Sequence, residues 1–226
     1  MHGTHVAGTV AQYTNNSVGT AGVAPYASIL PVRVLGPDGG TSIDVAQGIA
    51  WAVDEGADII NMSLGSDTMS NAIKAACSYA EEEGVLVVAA AGNDGAKNGV
   101  SYPAALENVL AVAAVDLNGD VTWYSNQGPE IDLAAPGGDT SRDLDGDGFE
   151  DGVLQETRNG SNWGYVYSQG TSMAAPHVAG VAALVMSTGL SDLEEVKKAL
   201  IATAEDVGAE GVDDATGHGM VDAVAA

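Results

Sequence analysis

The sequence predicts an α/β domain with a mostly parallel central sheet flanked by helices. Three observations lead there. Helical and strand-like patterns alternate along the chain, the order that βαβ units impose. The strand candidates are short runs of Val, Ile, Leu and Ala bounded by glycine, as suits strands buried on both faces. The 226 residues fit one domain with one sizeable core, and no linker or internal repeat divides them. Residues 1–226 are therefore read as a single domain.

The elements follow in order. Val6 to Ala11 has helical spacing, and Ile29 to Leu35 reads as a strand. Ser42 to Glu55 reads as a helix, with Ser42 placed to cap it and Asp44 in its first turn. Asp58 to Leu64 and Val85 to Ala90 read as buried strands. The helix between them, Thr68 to Glu83, stops at Gly84. Val109 to Val115 is a further strand. Ser172 to Ser187 is apolar all round, which predicts a central helix. Leu193 to Ala202 is an amphipathic surface helix. The compositional break is Gly137 to Gly160, with six acidic residues between Asp139 and Asp151 and no periodicity. It reads as a long ordered loop, an acidic insertion over 137–160.

Charge excludes some functions. Asp and Glu number 31 against 7 Lys and Arg, a formal net charge of −24. Phosphate backbones and anionic membranes both repel such a chain. The acidity fits solubility in salt, calcium binding or plain solvation. The single cysteine, Cys77, allows no internal disulfide and sits in a helical pattern as a packed thiol. No apolar run reaches the ~18 residues of a membrane span. Met1-His2-Gly3-Thr4-His5 lacks the basic and apolar segments of a signal peptide.

Acyl transfer by a serine needs a nucleophilic hydroxyl, a base, a group that orients the base, and donors for the oxyanion. Three segments supply three of these. Ser172, in Gly170-Thr171-Ser172-Met173-Ala174-Ala175-Pro176-His177, stands where a turn opens into a helix. Unpaired N–H groups there favour negative charge. The plain alternative is that Ser172 caps the helix. His2, in His2-Gly3-Thr4-His5-Val6-Ala7-Gly8-Thr9, is a base suited to neutral pH. His5 reads as a residue packed on its helix, and His177 and His218 read as structural. Asn93, in Ala89-Ala90-Ala91-Gly92-Asn93-Asp94, follows a buried strand at the edge where open α/β sheets place ligands. Taken alone it is an ordinary turn asparagine.

Together these segments resemble the histidine, oxyanion-asparagine and serine boxes of the subtilase family, in the family's order. The resemblance runs from His2 to about Ala223. It implies a three-layer subtilisin-like fold. It implies Ser172 as nucleophile, His2 as general base and Asn93 as side-chain half of the oxyanion hole. Asn61-Met62-Ser63-Leu64-Gly65 resembles the segment that pairs with substrate and lines the P1 pocket. Gly39, Gly40 and Thr41 resemble the opposite rim. Ala90, Ala91 and Gly92 would form a pocket wall and Ser101 its floor, leaving an open, mostly apolar P1 site. Polypeptide substrates follow, with a propeptide as a further partner and the chain as a monomer.

Two segments point to structural calcium. The stretch from Thr14 to Thr20 resembles a family calcium loop that uses the Asn16 side chain and the carbonyls of Thr14, Val18 and Thr20. In the acidic insertion, Asp143, Asp145, Asp147 and Asp151 recur with Gly148 for a sharp turn and the Phe149 carbonyl between them. That matches the first half of an EF-hand-like loop, although position twelve is Leu154 and not Glu. The alternative is a solvated acidic turn.

The family's catalytic aspartate should precede the histidine, and here only Met1 precedes His2. The expectation is a fragment lacking the first strands of its sheet, with the aspartate, signal peptide and propeptide upstream. On that reading the protein is a secreted serine endopeptidase whose given chain is inactive. The competing readings are a non-catalytic subtilase-like binding module and a cytoplasmic regulatory peptidase.

Overall fold

The computed structural model describes residues 2–226. Its elements are α1 (His2–Ala11), α2 (Ser42–Asp54), β1 (Ile59–Met62), α3 (Asn71–Glu82), β2 (Leu86–Ala90), β3 (Leu110–Val115), β4 (Leu133–Pro136), β5 (Val153–Asn159), β6 (Asn162–Ser168), α4 (Thr171–Ser187) and α5 (Leu193–Ala202). Strands β1 to β4 form one parallel sheet in the order β1-β2-β3-β4.

The period-2 alternation of a strand divides these side chains between two cores. Val87, Ala89, Ala111, Ala113 and Val115 turn to the face covered by α2 and α3. Leu86, Val88, Ala90, Leu110, Val112 and Ala114 turn to the face covered by α4 and α5. The result is three layers, helix on sheet on helix, as the apolar strand runs require. Leu86, Leu133 and Leu200 are almost wholly buried, each stabilising by about 2 kcal/mol. α4 crosses all four strands, and its Ala174, Ala175 and Ala182 let it lie close to the sheet. Cys77 is fully buried, and burial pushes its thiol up to about 11, which leaves it protonated and inert.

The structure corrects three expectations. Ile29 to Leu35 joins no ladder. A strand needs a partner strand, and none of the described residues offers one. Ile29, Leu30, Val32 and Leu35 are 38–44% exposed, while Val34 still packs on the α2–α3 core. The cap of α2 is Thr41, not Ser42. Thr41 accepts from the Asp44 N–H at 3.1 Å, and the Asp44 carboxylate accepts from the Thr41 N–H at 2.9 Å, closing a capping box. The acidic insertion is a loop only as far as Gly152. Residues 153–168 form the antiparallel β5–β6 hairpin, with Asn159 opposite Asn162. Its two-residue turn holds Gly160 at φ +62°, a left-handed conformation that suits glycine.

Candidate active site

Three segments converge at the C-terminal edge of the sheet: the ends of β1 and β2 and the start of α4. Position 170 is Gly, with φ +140°. Thr171 and Ser172 are the first two helical residues, so no helical carbonyl reaches their N–H groups. Thr171 is fully buried and acts as a clamp. Its N–H and hydroxyl both donate to Asn93 Oδ1, at 2.8 and 3.1 Å. Its Oγ1 also accepts from the Gly92 N–H at 3.2 Å. With the amide oxygen of Asn93 held this way, its Nδ2 is the group left to donate, beside the unpaired N–H of Ser172.

The serine is fixed from a second side. Pro176 lacks the N–H that would close the helical bond to the Ser172 carbonyl. The Ser63 hydroxyl donates to that carbonyl instead, at 2.8 Å. The Ser172 hydroxyl in turn lies 3.4 Å from the Ser63 carbonyl. β1 therefore holds the nucleophile candidate through the residue just beyond its end.

The walls suggested for a P1 pocket also meet. Ser101 joins them at the base. Its N–H donates to the Ala91 carbonyl at 2.8 Å, and Tyr102 exchanges two backbone bonds of 2.9 Å with Ser66. A Cβ added at Gly65 would stand 3.2 Å from the Ser101 Cβ, and one at Gly92 would stand 2.5 Å from its Oγ. Ser63, Leu64 and Gly65 thus flank one side, and Ala90, Ala91 and Gly92 the other. Gly39 and Gly40 lie in an exposed turn before α2, bridged from Gly36, and Thr41 serves as the helix cap.

His2 opens α1, and it lines one shallow hollow with His5, Ser168, Gln169 and Met173. The hollow therefore borders the first turn of α4. Enclosure by neighbouring protein, then the charge of His5, lowers the His2 pKa below its usual 6.5. A neutral imidazole is the form a base needs. Among the described residues no hydrogen bond joins His2 to Ser172, and no carboxylate forms an ion pair with it. His5 is 1% exposed, and its Nε2 bridges the Val153 and Val166 carbonyls at 3.0 and 3.1 Å. It ties α1 to the hairpin, in keeping with a packing role. His177 is half-buried with Nδ1 2.8 Å from the Met173 carbonyl, and His218 is exposed.

The calcium candidates differ. In the Thr14–Thr20 turn, Asn16 Oδ1 accepts from the Val18 N–H at 3.0 Å, and the Thr20 hydroxyl donates to Gln155 at 2.8 Å. The chain there wraps a small polar hollow lined by residues 14–21. In the acidic loop, carboxylate oxygens of Asp143, Asp145 and Asp151 lie within 4.8 Å of one another. Asp147 stands outside this group and accepts from the Phe149 N–H. Hard oxygen donors in such a cluster fit calcium. The loop is anchored by Arg142, 2.9 Å from the buried Asp116 at the end of β3.

Sequence reasoning missed Thr171, Pro176 and Asn126 as parts of this site. Pro176 carried a readable signal, since a proline inside a helix frees the carbonyl four residues earlier. Asn126 carried none, because its partners are 25 and 32 residues away in sequence.

The description of the family model that matches residues 1–219 is the subtilase family. The thermostable alkaline protease of Halalkalibacterium halodurans is 49% identical over 187 residues, covering 82% of this chain and 47% of that protein. Subtilisin BL of Lederbergia lenta is 42% identical over 227 residues, covering all of this chain and 77% of that one. Among solved structures, a protease from Pseudoalteromonas arctica superposes with a TM-score of 0.90 at 44% identity, covering 99% of this chain and 69% of that one. The chain spans about half the length of the alkaline protease it matches.

Proposed function

The chain belongs to the subtilase family, and from that premise we propose that it is the catalytic part of a secreted serine endopeptidase. Ser172 Oγ attacks the scissile carbonyl carbon as His2 takes its proton. The developing oxyanion lies between Asn93 Nδ2 and the Ser172 N–H. The C–N bond then breaks, and the proton on His2 passes to the leaving amine. Water reverses these steps on the acyl-enzyme and frees Ser172. The observation that carries this reading is the Thr171 clamp. It fixes the Asn93 amide by its oxygen and leaves the nitrogen as donor beside a serine at a helix start.

The walls of small residues around Ser101 suit large apolar side chains at P1, and substrate backbone would pair with residues 61–65. Calcium is assigned a structural role, held by Asp143, Asp145 and Asp151, with the Thr14–Thr20 turn as a second, incomplete site. A propeptide and a monomeric state belong to the same reading.

The orienting carboxylate is assigned to a segment upstream of His2, since no described carboxylate pairs with His2. That segment would also pair with the exposed Ile29–Leu35 stretch. The 226-residue chain assayed on casein should then show little turnover, and the full-length protein should restore it. Removal of this aspartate from subtilisin costs about 3 × 10⁴ in kcat. Near-full turnover by the 226-residue chain would contradict this assignment. The alternative, a non-catalytic binding module, would be favoured by a full-length protein that binds peptides without cleaving them.

A further inference from the structure

We propose that Asn126 is a positioning residue that sets the P1 preference of the site by fixing the base of the pocket. The inference rests on the peptidase reading above. Asn126 lies in the turn after Tyr124, is 1% exposed, and has no contact with the reacting atoms in the mechanism given. Its side-chain amide and its backbone N–H bond the segments around the pocket, while its carbonyl accepts from the Ser125 hydroxyl at 3.3 Å. Its Oδ1 accepts from the Asp94 N–H at 2.7 Å, one residue beyond Asn93. A backbone N–H can only donate, so this bond decides which end of the amide is oxygen. The nitrogen is then the atom facing Ser101 Oγ at 3.3 Å. The Asn126 N–H donates to the Gly92 carbonyl at 3.1 Å.

One side chain thus ties the pocket floor, Ser101, to the wall that carries Asn93. Because the Ser101 oxygen accepts from Asn126, its own hydrogen is free for another acceptor. The fit is tight. Gly92 has φ +113°, and a Cβ there would stand 2.2 Å from Asn126 Nδ2. Asn126 occupies the space that a side chain at position 92 would need, directly behind the pocket wall. A change at 126 therefore alters the depth and polarity of the pocket base without touching Ser172 or His2.

The test uses the full-length protein and peptides that differ only at P1, carrying Phe, Ala or Arg. Asn126→Ala opens space behind Gly92 and Ser101, and the ratio of kcat/KM for Phe over Ala should rise at least about fivefold, the scale of one added methylene in an apolar pocket. Asn126→Asp keeps the shape and the acceptor for Asp94 but places a carboxylate at the base. Arg should gain on Phe at least about tenfold, chiefly through KM, since the charge meets bound substrate and transition state alike. Labelling of Ser172 by a fluorophosphonate, which has no P1 side chain, reads any common loss transmitted through Asn93, and the P1 ratios are independent of that common factor. Either variant alone decides the matter if the other fails to fold. Three substrates falling by one common factor, or an unchanged profile, would overturn the role of Asn126. A parent protein not labelled at Ser172 would instead overturn the peptidase reading, and this inference with it.

Discussion

Replacing Ser63 by Ala removes the hydroxyl that satisfies the Ser172 carbonyl. Pro176 cannot supply the helical N–H, so in this variant the carbonyl loses its 2.8 Å partner with no backbone donor to replace it. The site is partly buried, and an acceptor left unpaired there costs up to the range of about 1–3 kcal/mol. For a domain of this size each kcal/mol lowers Tm by about 2–4 °C, so Ser63→Ala should lower it by up to about 2–12 °C. The cause can be isolated by a double-mutant cycle. Pro176→Ala restores an N–H four residues after Ser172, and in that background Ser63→Ala should cost at least about 1 kcal/mol less. Urea melts of the full-length protein and its three variants give the coupling energy. A coupling below about 0.3 kcal/mol would refute the exchange of a hydroxyl for a backbone donor.

Two further outcomes follow from the pocket and the acidic loop. A peptide-library profile should favour large apolar or aromatic P1 residues with weak discrimination among them, because each methylene is worth only about 1–3 kcal/mol; dominance by Arg or Lys at P1 in the parent would contradict the pocket described. Calcium should raise Tm by binding the folded state alone, and Asp143→Ala with Asp145→Ala should remove much of that rise, as read by calorimetry with and without a chelator. An unchanged calcium response in that double variant would leave the loop as a solvated turn.

β1, β2 and β3 and the long helices were legible because those strands are short apolar runs and each long helix has a readable face, whereas the four-residue β4, Leu133–Pro136, was not read as a strand. The central position of α4 followed from its all-round apolar character, and the structure buries it across the whole sheet. Ile29 to Leu35 has strand composition, but pairing is a property of two segments, and composition speaks for only one. The β5–β6 hairpin was hidden by the acidic stretch beside it. Its signals were nevertheless present: Asn159-Gly160 at the turn, and Trp163, Tyr165 and Tyr167 alternating along β6. At the candidate site, local motifs pointed to Ser172, His2 and Asn93 as candidates. The contacts that hold Ser172 and Asn93 run across 63–172 and 93–171, and the one at the pocket base across 101–126, which no window of sequence contains. The anchoring of the acidic loop through Arg142 and Asp116 belongs to the same class.

The most direct test of the central claim is active-site labelling of the full-length protein. A fluorophosphonate should modify Ser172 alone, as located by peptide mass spectrometry, and Ser172→Ala should lose both label and turnover. Asn93→Ala should keep the fold and lower kcat by about 10²–10³, the loss known for an oxyanion asparagine in a subtilisin. Label on another serine, turnover surviving in Ser172→Ala, or an Asn93→Ala protein of normal rate would contradict the account.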